Sequence, residues 1–155
     1  MPTAHEAITL TELGFTVFPL ETRGKKPVTR NGFKDATRDT ETITHWWADH
    51  PNANIGVATG PISGVLVVDI DGPAAEHAWR NLANPEDDDT LEVRTGRGRH
   101  LYYQCTDPLP NTASRIAPGI DTRGHGGYVV APPSIHPDGA TYEWAAARRP
   151  RPLPQ

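Results

Sequence analysis

Two carboxylates, Asp69 and Asp71, follow the uncharged run Gly64-Val65-Leu66-Val67-Val68 with only Ile70 between them. The run reads as a buried strand. A strand's period of two turns both carboxylates to one face, about 7 Å apart along the chain. Unpaired carboxylates at the end of a core strand repel each other and are costly to desolvate, and a hard divalent cation relieves both problems. A surface Asp-Gly turn is the plainer reading. It suits Asp71-Gly72 but not Asp69, which stands between Val68 and Ile70. Asp121, after Ile120 and ahead of a glycine-rich turn, is a candidate third carboxylate, with turn capping as its alternative role. Three carboxylates from two strands are a usual way to hold one or two Mg²⁺ or Mn²⁺ ions.

A second group has the opposite character. In Arg94-Thr95-Gly96-Arg97-Gly98-Arg99-His100 the glycines let backbone N–H groups approach an oxyanion, the arginines can grip phosphate in bidentate fashion, and His100 could hold a phosphate oxygen. A solvated basic hairpin is the alternative. Lys25 and Lys26 are either part of the same chemistry or an ordinary exposed pair. Carboxylates for cations beside glycine, arginine and histidine for phosphates suit a metal–triphosphate complex.

The net charge of −4 argues superficially against a nucleic-acid partner, but local charge argues otherwise. Residues 22–34 hold Arg23, Lys25, Lys26, Arg30 and Lys34 with no acid, and the acids gather at Glu86-Asp87-Asp88-Asp89. Bound cations would also reverse the local sign of any metal-binding carboxylates. A single cysteine, Cys105, allows no internal disulfide and no cysteine-rich zinc site, and reads as a core or edge filler. With neither a basic-apolar leader nor a long apolar span, the expectation is a soluble, cytoplasmic protein that does not enter a membrane.

The positioning elements follow from turn and cap signals. Thr3 and Glu6 make a capping box for a helix to about Leu13, stopped by Gly14. Residues 15–20 read as a strand, and Asp39 or Thr40 caps a helix through Trp46 and Trp47. Residues 54–59 read as a strand. Pro73 opens a helix to about Leu82, followed by an acidic loop. Residues 91–95 and 101–105 make a hairpin, 107–118 are irregular, Ile120 and Asp121 end a short extended piece, and 128–131 and 141–144 are the last strands. The four tryptophans read as core rather than as base-stacking platforms. Strands in the middle with helices at the periphery give an α+β class. Residues 1–147 form one domain, and 148–155 are an Arg/Pro-rich linker or truncated end.

The ordered set Asp69-Ile70-Asp71, Gly98-Arg99-His100 and Ile120-Asp121 resembles the primase–polymerase domain of the archaeo-eukaryotic primase superfamily. Gly24-Lys25-Lys26-Pro27, residues 127–134 and residues 134–142 add to the likeness, which spans about Ala7 to Trp144. The resemblance implies an RNA-recognition-like palm sheet with a small N-terminal α/β module, and template-directed nucleotidyl transfer that extends a primer and in some relatives starts one. It implies a Mg²⁺ or Mn²⁺ site at Asp69, Asp71 and Asp121. It also implies a catalytic and triphosphate-binding His100, helped by Gly98, Arg97, Arg99, Arg123 and Lys25. The implied partners are a DNA template and primer, nucleoside triphosphates, and a helicase or accessory helical domain. Many relatives have Ser where this chain has Gly98. Two rivals use the same residues: a metal-dependent phosphodiesterase or nuclease, and an inactive nucleic-acid-binding module of a larger replication protein.

Overall fold

The computed structural model describes residues 2–146 and 150–152; most of the 148–155 segment lies outside the described residues. The architecture is α+β with antiparallel sheets and, among the described residues, three α-helices. β1 (Thr16–Leu20), β2 (Asn54–Ala58) and β8 (Tyr128–Ala131) form a three-stranded sheet in the order β1-β2-β8. A larger sheet runs β6-β7-β3-β5-β4-β9 through β6 (Thr112–Ala117), β7 (Ile120–Arg123), β3 (Val65–Asp71), β5 (Gly98–Gln104), β4 (Leu91–Arg94) and β9 (Glu143–Ala146). β10 (Arg151–Pro152) runs parallel to the end of β5 at Tyr103 and Gln104.

Local signals set the helices. The Thr3 hydroxyl accepts the Glu6 N–H and starts α1 (Ala4–Thr11); Asp39 accepts the Thr42 N–H and starts α2 (Thr40–Asp49). α1 and α2 pack on each other and on β1. Gly72, at φ 97°, makes the turn out of β3 that a side chain would strain, and Pro73 opens α3 (Pro73–Leu82).

β3 divides two cores by its alternation. Val68 and Ile70 join Ala75, Trp79, Leu101, Tyr103 and Ile120 in a cluster under α3. Val65 and Val67 face the other way, into the larger core shared with α1, α2 and the three-stranded sheet. Burying each such aliphatic side chain contributes roughly 1.5–3 kcal/mol. Asp69 and Asp71 continue the Val65–Val67 face at the place where this second core gives way to a polar cleft.

Two expectations need correction. Residues 107–118 are not irregular throughout, because β6 pairs with β7. It does so only at Thr112↔Thr122 and Ala117↔Ile120, with the register broken between, so no alternating pattern marks it. The acidic run is not a free loop either. Residues Pro85–Asp88 form a 3-10 turn that receives the Trp79 indole N–H on Asp88 (2.8 Å) and the Tyr103 hydroxyl on the Asp87 carbonyl (2.6 Å). Trp47 and Trp79 are buried, as a core role requires, whereas Trp144 on the edge strand β9 is 37% exposed against Tyr102. Cys105 is buried and unbridged. Among the described residues, no helix is long and apolar enough to cross a membrane.

Candidate active site

β3 lies between β7 and β5, and the register sets Asp69 opposite Asp121 on one side and opposite His100 on the other. Directly paired residues share a face, about 4.5–5.5 Å apart. Asp121, Asp69 and His100 therefore form one row across three strands. Asp71 sits one row on, opposite Gly98.

The cleft between the two sheets takes in Asp69 and His100 of this row. A cavity of about 420 Å³ is walled by Asp69, His100 and Arg123 on one side and by Tyr128, Val129 and Val130 of β8 on the other. An adjoining space of about 200 Å³ takes in Asp69, Asp71, Arg97, His100 and His136. Lys25 and Tyr142 line both. Lys25 arrives from the loop after β1, whose position Tyr128 fixes by donating its hydroxyl to the Lys25 carbonyl (2.8 Å).

Asp69 is the electrostatic centre of the row. Burial pushes its carboxyl up, but His100, whose Nε2 lies 3.5 Å from Oδ1, outweighs that together with the charges of Arg123 and Lys25, and the carboxyl is held below its ordinary value. Asp69 is thus an ionised oxygen donor. His100 is 6% exposed, and its Nδ1 is buried without a hydrogen-bond partner among the described residues. Beside it, burial and then the neighbouring charges of Asp69 and Asp138 push the Tyr142 hydroxyl up to about 12.

A family model for the bifunctional DNA primase/polymerase N-terminal domain matches residues 7–155. The chain belongs to this family. No curated protein matches it. A primase/polymerase domain is an enzyme of nucleotidyltransferase type, with DNA and nucleotides as its general partners.

The residues singled out in the sequence fall into three groups in this primase/polymerase domain. Asp69, Asp71, His100, Lys25, Arg97 and Arg123 line the cleft. Arg97 reaches Asp71 at 3.8 Å, with its side chain largely in solvent. Gly98 contributes close approach: a Cβ there would stand 1.8 Å from the Ile70 carbonyl oxygen, so the β3–β5 pair requires glycine. Asp121 stands in the row but lines neither cavity. Its Oδ1 accepts the Ser114 N–H (2.9 Å) and its Oδ2 faces Arg123 (3.4 Å). Arg99 is not brought to the group at all. The alternation that turns His100 into the cleft turns Arg99 to the α3 face, where Glu76, Asp88 and Glu92 hold it at 2.7–3.2 Å.

Among the described residues no three His, Cys, Asp or Glu side chains converge tightly enough to cage a metal ion. Asp69 and Asp71 supply two hard oxygen donors on one face. That is the chemistry Mg²⁺ takes when one or two carboxylates share it with substrate phosphates and water. The Asp121 carboxylate is engaged by the Ser114 N–H and by Arg123.

Sequence reasoning missed Tyr142, Tyr128 and His136 as parts of this cleft, and Asn54 as a support behind it. His136 lay in a segment read only for its likeness to a family, and Tyr142 was read there and as part of the last strand, not as a cleft residue. Tyr128 looked like any strand aromatic. Asn54 gave no signal, because its role is to hold backbone from two distant loops.

Proposed function

We propose that this domain carries out template-directed nucleotidyl transfer, adding nucleotides to a DNA primer with two divalent cations, Mg²⁺ or Mn²⁺, held by Asp69 and Asp71 and joined by Asp121. When bound, such ions lower the pKa of the primer 3′-hydroxyl and offset charge on the departing pyrophosphate. The protein's own part is position and electrostatics. Asp69 presents an ionised oxygen with the Asp71 carboxylate beside it, His100 and Lys25 face the same space and suit phosphate oxygens, and Arg123 adds positive charge at the Asp121 end of the row. The basic 22–34 segment suits template and primer phosphates, so DNA binding should weaken as salt rises.

The observation that carries the reading is the row Asp121–Asp69–His100 across three adjacent strands, with Asp69 and His100 open to a cleft that has cationic side chains, in a chain of this family. The order β7-β3-β5-β4, with α3 in the first crossover, supports an RNA-recognition-like palm, since it is the split β-α-β arrangement. The test is primer extension and de novo synthesis with each metal and each nucleotide type. The wild type should extend a primer. Asp69→Asn and Asp71→Asn should stay folded at the assay temperature and incorporate nothing. Degradation of labelled single strands without added nucleotides would instead identify a phosphodiesterase.

A further inference from the structure

The segment from Ser134 to Tyr142 is a tight hairpin turned into the cleft. His136 N–H donates to the Ala140 carbonyl (2.7 Å), Gly139 N–H to the His136 carbonyl (2.8 Å), and Tyr142 N–H to the Ser134 carbonyl (2.9 Å). Gly139 takes φ 97°, which this turn requires. Ser134 Oγ accepts the Ile55 N–H (2.8 Å), which fixes the base of the hairpin to β2.

One buried amide ties this turn to the basic loop. Asn54 is 1% exposed. Its Nδ2 donates to the Ile135 carbonyl (2.7 Å) and to the Gly24 carbonyl (3.0 Å), and its Oδ1 accepts the Ile135 N–H (3.0 Å). The residues that follow these two held positions are Lys25 and His136, and both line the smaller cavity with Asp69, Asp71 and His100. The side chain of Asn54 thus sets the spacing of two cleft residues that are far apart in sequence.

Within the turn, His136 is oriented by Asp138. Nδ1 lies 3.1 Å from the Asp138 N–H and 2.9 Å from Oδ1. The Asp138 Oδ1 is itself fixed by the Ala140 N–H (2.8 Å). With Nδ1 committed to Asp138, Nε2 is the ring nitrogen left for a ligand, and it takes no hydrogen bond among the described residues. Where the Asp138 N–H donates to Nδ1, the ring proton sits on Nε2 and makes it a donor; where Nδ1–H instead donates to Asp138 Oδ1, Nε2 donates in the imidazolium form that an anionic phosphate favours. The rings of His136 and His100 flank Tyr142, with centroids 6.0 and 6.2 Å from it.

Building on the function proposed above, we propose that His136 is a second phosphate-binding histidine of the cleft, donating from Nε2 to a terminal phosphate oxygen of the incoming nucleotide, with Asp138 and Asn54 as its positioning residues. The ligand is the triphosphate rather than the DNA backbone, because His136 opens onto the small space it shares with the carboxylates Asp69 and Asp71 and with Lys25.

The probe is inorganic tripolyphosphate with Mg²⁺, titrated without template into the whole chain, alongside nucleotide KM in primer extension and binding of a primed template. His136→Ala and His136→Phe should each weaken tripolyphosphate and raise the nucleotide KM about tenfold, the effect of losing a charge-assisted hydrogen bond. DNA affinity should stay within twofold. Phe keeps a ring against Tyr142 and lacks the donor, so recovery of binding in His136→Phe would assign a packing role and overturn the proposal. His136→Gln, which restores a donor, should recover part of the affinity. Unchanged tripolyphosphate binding in His136→Ala, or a loss confined to DNA binding, would also overturn it. Failure of the wild type to extend a primer while it binds tripolyphosphate through His136 would sink the polymerase reading and leave this site standing.

Discussion

Asp121 stands directly opposite Asp69 on adjacent strands, yet its carboxylate is turned to Arg123 and to the Ser114 amide. Arg123 is therefore the counter-charge beside Asp121, and its charge also helps keep Asp69 ionised. In Arg123→Ala the two carboxylates lose that cation, so a divalent ion should replace it. Added Mg²⁺ is expected to raise the melting temperature of Arg123→Ala by several degrees more than that of the wild type. Equal shifts in the two proteins would remove Arg123 from this role.

The lowered carboxyl of Asp69 has a pH signature. Its ordinary value is 3.8 and the folded value lies below it, so the unfolded chain takes up the proton first. The stabilisation is complete above the ordinary carboxylate value and disappears as pH falls through the folded one. Urea unfolding at neutral pH should therefore find the wild type more stable than Asp69→Asn. The gap should close on acidification below about pH 4. A gap that stays constant down to the acid-unfolding limit would contradict the assignment.

His100 should show itself in substrate binding. His100→Ala is expected to raise the nucleotide KM about tenfold, the scale of one charge-assisted contact. Steady-state extension at varied nucleotide concentration reads this directly. An unchanged KM with a fall only in kcat would move His100 from binding the nucleotide to supporting Asp69.

Arg99 belongs to stability. Its side chain is 13% exposed and answers three carboxylates that would otherwise face one another. Removing one partner from a mostly buried ion cluster, discounted for the partial exposure of the acids, costs about 2 kcal/mol. Arg99→Ala should lower the denaturant midpoint accordingly and leave the nucleotide KM of the folded protein unaltered. A raised KM with full stability would return Arg99 to the site.

Gly98 is a steric requirement. Even a methyl group there meets the Ile70 carbonyl, and relieving the overlap must part β3 from β5. Overpacking of this kind costs about 1–3 kcal/mol. Gly98→Ala should show that loss in denaturant unfolding, together with weaker incorporation, because Asp69 and His100 face each other across the same strand pair.

Much of this was legible in the residues. The Thr3 and Asp39 caps, Pro73 at the start of α3 and the apolar run into Asp69 are local signals, and each marked its element within a few residues. Alternation also turned Asp69 and Asp71 to one face. What stayed hidden depended on pairing. Arg99 and His100 are neighbours in sequence but face opposite sides of the sheet, which becomes plain once β5 is known to begin at Gly98 rather than after His100. Asp121 carries no local mark of its hydrogen bond to Ser114, since that contact exists only where the broken β6–β7 register bends the chain. Asn54 is a polar residue opening a strand, and its three bonds to separate loops have no counterpart in composition or spacing.

β8 pairs with β2, although most of the larger sheet lies between them in the chain. During synthesis the amino-terminal helices and β1–β2 emerge first, but the wall that Tyr128, Val129 and Val130 give to the cleft cannot form until those residues leave the ribosome. Non-local pairings of this kind tend to slow folding, because the chain between the partners is closed before their contacts stabilise it. Nascent chains that stall before this point would leave one edge of β2 unpaired and the cleft without one of its walls.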